Sequence, residues 1–149
     1  GIHAGQWEDQ SWDFGEGAKL RLVNTYTYGW ELNAWGGNTM VIKDSHYSGS
    51  SVNGGDSHYL IEDTTSELLV AFDRVEMTVI NSIITGDVVA NDNTVITLIN
   101  STVGDVTGEF SGKGGDIYAY GNGKVILINT TVLGEQVTQD NGEIVVEVP

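Results

Sequence analysis

Of the six Lys and Arg residues in this 149-residue chain, three fall close together near its start: Lys19, Arg21 and Lys43. His58, Glu62 and Glu76 follow at intervals that can return them to the same surface. A cationic base beside carboxylates and an imidazole is the raw material of a proton-transfer site, which makes Lys19, Arg21 and Lys43 the catalytic candidates. Charges alternating along an exposed strand also arise as solvated cross-strand pairs, and that reading is preferred. A second group is aromatic: Tyr26, Tyr28, Trp30, Trp35, Tyr118 and Tyr120. Flat rings stack on the apolar face of a pyranose, so these six are carbohydrate-binding candidates. Core or cap packing is the competing reading, because aromatic side chains carry large burial energies. Metal chemistry has weaker material. His3, His46 and His58 lack ligand spacing, and Asn91-Asp92-Asn93 and Asp140-Asn141-Gly142 read equally well as turns. Asp44 and Asp63 are weak metal candidates. The expectation is no cofactor, with Ca²⁺ the one ion these carboxylates would suit.

The elements that position these residues come from a repeat. One motif recurs as Val23-Asn24-Thr25, Lys43-Asp44-Ser45, Glu62-Asp63-Thr64, Ile80-Asn81-Ser82, Ile99-Asn100-Ser101 and Ile128-Asn129-Thr130. The Asn or Asp positions are 20, 19, 18, 19 and 29 residues apart, so the last interval holds one period plus an insertion of ten. Two residues before each Asn or Asp stand Leu22, Ile42, Ile61, Val79, Leu98 and Leu127; four before stand Leu20, Met40, Tyr59, Met77, Ile96 and Val125. Period-two apolarity of this kind marks a strand with one buried face. Lys19, Arg21, Lys43, His58, Glu62 and Glu76 occupy the intervening, outward columns. No segment has the length and spacing for a helix, and the single proline is Pro149. Short strands at a period near 19 residues, without helices, stack as a parallel β-solenoid. At each bend Asn or Asp accepts the left-handed conformation most residues avoid.

Stacked asparagines at such bends resemble the asparagine ladder of the pectate-lyase-like superfamily of single-stranded right-handed parallel β-helices. The resemblance spans about residues 18–149. It implies an all-β, right-handed parallel β-helix of about seven coils of 18–20 residues, with one inserted loop near 108–122 and an N-terminal cap or extension over 1–17. It implies no single activity, since that superfamily includes lyases, hydrolases, adhesins and surface proteins. Its lyases place calcium beside a Lys or Arg on a strand face, but none of its catalytic signatures occurs here. Asp44 and Asp63 depart from the ladder by replacing Asn.

Further departures from the repeat mark candidate contact sites. The insertion, Gly108–Asn122, is glycine-rich without a Walker pattern; Tyr118 and Tyr120 follow on one strand face. In the outward column before the motif, Val23, Lys43 and Glu62 give way to Ile80, Ile99 and Ile128, with Ile126 beside them. Isoleucines stacked on adjacent coils form a contiguous apolar patch that soluble monomers rarely expose, so Ile80, Ile99, Ile126 and Ile128 are the interface candidates. The run Glu143–Pro149 forms a strand without a polar cap, an edge that invites a neighbouring subunit or a longer parent chain.

Composition narrows the partners. Twenty-one acidic against six basic residues leave a net charge of −15, without the basic stripe that nucleic acid requires. No apolar run is long enough for a membrane span, and the absence of cysteine removes disulfides and thiolate chemistry. The start at Gly1, without a leader, reads as a processed or excised product. The expected function is a non-enzymatic extracellular or cell-surface β-solenoid, a structural, adhesive or self-assembling subunit. The alternatives are a polysaccharide-binding module and a pectate-lyase-like polysaccharide-active enzyme, whether polysaccharide lyase or glycoside hydrolase. The expected partners are further copies of the chain, with a polysaccharide as the other candidate.

Overall fold

A computed structural model of the chain describes residues 10–14, 17, 19–26, 30–53, 55–105 and 115–148. The described residues form strands and turns without a helix. In chain order the strands are β1 (Gln10–Phe14), β2 (Lys19–Val23), β3 (Trp30–Trp35), β4 (Thr39–Lys43), β5 (His46–Asn53) and β6 (Ser57–Glu62). Then come β7 (Thr65–Phe72), β8 (Val75–Ile80), β9 (Ile83–Ile84), β10 (Val88–Ala90), β11 (Val95–Ile99) and β12 (Thr102–Val103). The last are β13 (Ile117–Ala119), β14 (Lys124–Ile128), β15 (Thr131–Val132), β16 (Gln136–Thr138) and β17 (Glu143–Glu147).

These strands stack as a parallel β-solenoid. Sheet I runs β2-β4-β6-β8-β11-β14-β17, and sheet II runs β1-β3-β5-β7-β10-β13-β16. A short third face joins them: His46 pairs with Thr65, Thr65 with Ile83, Ile83 with Thr102 and Thr102 with Thr131. Strands β5 and β7 are long enough to run across both the third face and sheet II. Five turns, from β4–β5 to β14–β16, carry strand on every face, while seven strands stack in sheet I. The expectation of about seven coils therefore overstates the complete turns by counting every rung of one face.

The register explains the period-two pattern. The columns Leu20-Met40-Tyr59-Met77-Ile96-Val125-Ile144 and Leu22-Ile42-Ile61-Val79-Leu98-Leu127-Val146 run straight up sheet I. Their middle members are buried and form one core with Leu69, Val88 and Ile117, and with Ala71, Ala90 and Ala119, of sheet II. The alanine column leaves little bulk on that side, and Met and Ile from sheet I fill the interior opposite.

Every Asn or Asp of the motif bends the chain in the left-handed region: φ is 52° at Asn24, 48° at Asp44, 49° at Asp63, Asn81 and Asn100, and 47° at Asn129. The following Ser or Thr turns inward. Ser45, Thr64, Ser82 and Ser101 are buried, and each hydroxyl does two jobs. Ser82 Oγ donates to the Ile80 carbonyl at 2.8 Å and accepts the Thr64 N–H of the preceding turn at 3.1 Å. Equivalent bonds link Thr25 to Ser45, Ser45 to Thr64, Ser82 to Ser101 and Ser101 to Thr130. The buried polar ladder is thus made of hydroxyls, while the asparagines beside it are exposed; Asn129 donates from Nδ2 to Asn100 Oδ1 at 2.7 Å.

The insertion lies in the connection from β12 to β13. Three residues separate β9 from β10 and β15 from β16, whereas 104–116 separate β12 from β13. Residues 106–114 lie outside the described residues. The remainder of the expected insertion is regular: β13 is an ordinary rung between β10 and β16. Within the expected N-terminal cap, β1 pairs in parallel with β3 and adds a rung to sheet II.

Candidate functional site

The outer face of sheet I gathers the largest share of the predicted site residues. Parallel pairing without a slip carries each outward residue directly onto the next turn. The first outward column is Lys19-Thr39-His58-Glu76-Val95-Lys124-Glu143, the second Arg21-Val41-Leu60-Thr78-Thr97-Ile126-Val145, and the third Val23-Lys43-Glu62-Ile80-Ile99-Ile128-Glu147. Ile80, Ile99 and Ile128 therefore stack in one column and Ile126 lies beside them, all half-buried by their neighbours. With Val41, Leu60 and Val145 they make a flat apolar field with no side-chain charge between β8 and β14 in its second and third columns.

Charge is confined to the margins of this field. Lys43 Nζ lies 2.6 Å from Glu62, His58 Nδ1 lies 3.3 Å from Glu76, and Lys124 Nζ lies 3.5 Å from Glu143. Each pair joins directly opposed residues of adjacent strands, the geometry of cross-strand stabilisation. The catalytic candidates Lys19, Arg21 and Lys43 share the face but occupy three different columns, and Lys43 is engaged by Glu62. An open depression of about 230 Å³ lies between Thr39, Val41, His58, Leu60, Glu76 and Thr78. Its floor is the core side chains Met40 and Tyr59. Tyr59 is buried, and desolvation, with Tyr47 nearby, raises its phenol far above the ordinary value.

Sheet II carries a second surface. Val70, Val89, Tyr118 and Val137 form an outward column. Tyr118 and Tyr120, two residues apart, stack with ring centroids 5.7 Å apart and planes 24° from parallel. Tyr118 Oη donates to Asp116 Oδ2 at 3.0 Å, a bond that raises its pKa. Asp116 Oδ1 accepts the Glu135 N–H at 2.7 Å, and the Asp116 N–H reaches Asp87 Oδ1 at 3.2 Å. The acids at this corner thus brace the turns between the third face and sheet II. Of the other aromatic candidates, Tyr26 is 69 % exposed and stacks on His46 at 4.8 Å. Trp30 and Trp35 are placed by backbone register alone, opposite Gln10 and Asn53, and Tyr28 lies outside the described residues. The two tyrosine groups sit on different turns and do not form one strip.

Asp44 and Asp63 occupy exposed bends. Their N–H groups donate to the Glu62 and Ile80 carbonyls. Among the described residues no group of three or more His, Asp or Glu is placed to hold a metal ion.

Sequence reasoning missed a second ladder. Asp73, Asp92, Gly121 and Asp140 repeat the left-handed bend at the corner from sheet II to sheet I, with φ between 56° and 67°. The next residues of the last three turns form an exposed asparagine stack: Asn122 Nδ2 donates to Asn93 Oδ1 at 3.1 Å, and Asn141 Nδ2 to Asn122 Oδ1 at 3.0 Å. The signal was present in the spacing of Asn93, Asn122 and Asn141, 29 and 19 residues, which repeats the intervals of the first ladder.

Comparison with protein-family models, with curated proteins and with solved structures finds no match for this chain.

Proposed function

We propose that this chain is a non-enzymatic, extracellular or cell-surface β-solenoid that acts as a structural or adhesive, self-assembling subunit through the outer face of sheet I. The observation that carries this reading is the in-register column Ile80-Ile99-Ile128, flanked by Ile126 and bordered by ion pairs rather than crossed by them. A flat field of β-branched side chains on a rigid stack is pre-organised for contact, because little side-chain entropy is lost when it is covered. The net charge of −15 lies elsewhere and keeps the particle soluble while leaving this face uncharged. The coil is assigned the right-handed sense that parallel crossovers almost always take. The left-handed Asn and Asp bends support kinship with the pectate-lyase-like β-helices. The test is Ile80→Lys combined with Ile99→Lys, followed by light scattering over a range of concentrations and by circular dichroism. Loss of association with an unchanged spectrum is the expected result; the reading fails if wild type and variant associate equally.

One observation favours polysaccharide binding as a second reading: the stacked Tyr118–Tyr120 pair on the outside of sheet II. Asp87, Asp116 and Glu135 beside it favour a neutral glycan over a polyuronate. Retention on an immobilised neutral polysaccharide, lost in Tyr118→Ala and Tyr120→Ala, is the expected result.

A further inference from the structure

The two ends of the solenoid complement each other. At one end the outer edges of β1 and β2 are unpaired among the described residues, and at the other those of β16 and β17. In both cases the sheet II strand directly precedes the sheet I strand in the chain, so the two pairs of edges have the same order. We infer that a second copy of this chain docks head to tail here, with β17 of one copy pairing in parallel with β2 of the next, and β16 with β1. This contact is independent of the lateral face proposed above, since it uses backbone edges rather than outward side chains.

The existing register dictates the new one. Continuing the columns of sheet I by one rung sets Glu143 against Lys19, Ile144 against Leu20, Val145 against Arg21, Val146 against Leu22 and Glu147 against Val23 of the next copy. Every apolar inward residue then meets an apolar inward residue. Val146, at a core position but 68 % exposed, is covered by Leu22. The outward charges are complementary as well. The terminal rung of sheet I carries Glu143 and Glu147, and the first carries Lys19 and Arg21. Glu143 already faces Lys124 on its inner side, so the column would alternate Lys124, Glu143, Lys19. Arg21 falls diagonally between the two glutamates, within reach for a long side chain. In sheet II the same shift sets Gln136, Val137 and Thr138 against Trp12, Asp13 and Phe14 of the next copy. Pairing of two different surfaces does not close on itself, so the product is an open-ended rod rather than a dimer.

The test uses two single variants of the 149-residue chain, Lys19→Glu and Glu143→Lys, each checked by circular dichroism for an unchanged fold. By light scattering, wild type is expected to give an open series of oligomers that lengthens with concentration. Each variant alone sets like charges against each other and should raise the concentration needed for assembly roughly threefold to tenfold. An equimolar mixture restores one native and one reversed ion pair at alternate junctions, and should assemble within about twofold of wild type. A mixture no stronger than either variant alone would overturn the proposal. So would wild type that stays monomeric or stops at a closed dimer, or assembly lost in Ile80→Lys but unmoved by both charge reversals.

Discussion

Ser82 carries a role larger than its size. Its hydroxyl closes the bend by donating to Ile80 and ties the turn to its neighbour by accepting from Thr64. Ser82→Ala leaves a buried N–H and a buried carbonyl short of a partner, a loss of about 1–3 kcal/mol. Urea unfolding should show that loss, with Ser82→Thr retaining most of the stability. Tyr59 presents the opposite case. Its phenol oxygen is buried and has no hydrogen-bond partner among the described residues. Tyr59→Phe should therefore be neutral or stabilising at pH 7. The folded state holds this phenol protonated beyond the point, near pH 10, at which the unfolded chain releases its proton. Unfolding thus releases a proton in that range, and wild type loses stability as pH rises above about 10. Melting curves from pH 9 upward should show a shallower loss in Tyr59→Phe. The hydroxyl column was legible because Ser or Thr follows every bend. Its burial was not, because strand alternation alone leaves the orientation of a residue beside a left-handed bend undetermined.

Among elements, the turns limit substitution more tightly than the strands. Successive turns approach so closely at the corner leading into sheet I that a Cβ at Gly123 would run into the Ala90 carbonyl oxygen, and one at Gly142 into that of Ala119. Backbone cannot give way as a side chain can, so Gly123→Ala should cost at least about 2 kcal/mol. Gly17 is the comparison: a Cβ there meets nothing, and only its φ of 74° resists, so Gly17→Ala should cost about 1 kcal/mol. Denaturant midpoints of the two variants measure the difference. The strands themselves were readable because Leu22, Ile42 and Ile61 and their successors keep one parity through every turn. The second ladder escaped notice because its column mixes Asp with Gly, and Asp92-Asn93 looks like any surface turn until it is stacked on Gly121-Asn122.

For the whole molecule, each turn contacts only the turns on either side, so stability varies along the axis. Ile61, Val79 and Leu98 are fully buried, whereas Val146, in the same column at the terminal rung, is largely exposed. Hydrogen exchange should accordingly be slowest in β6, β8 and β11 and fastest in β16 and β17. Equal protection along the sheet I column would contradict this, unless the ends are joined as inferred above; in that case protection of β17 should fall on dilution.

The amino-acid sequence by itself determined the repeat, the left-handed bends, the inward and outward columns and the place of the insertion. Each of these follows from local backbone preference or from strand alternation repeated at a constant interval. Only the tertiary structure decided what stands next to what across turns. It paired Lys43 with Glu62 and drew Lys124 to Glu143. It set Ile80, Ile99 and Ile128 in an unbroken column, and it kept Tyr26 apart from Tyr118 and Tyr120. It also gave the two ends matching edges. Those relations depend on the register between turns of unequal length, 18, 19, 20 and 29 residues. Register is fixed when the core columns and the hydroxyl ladder close together, because a slip of one residue would turn every buried side chain outward.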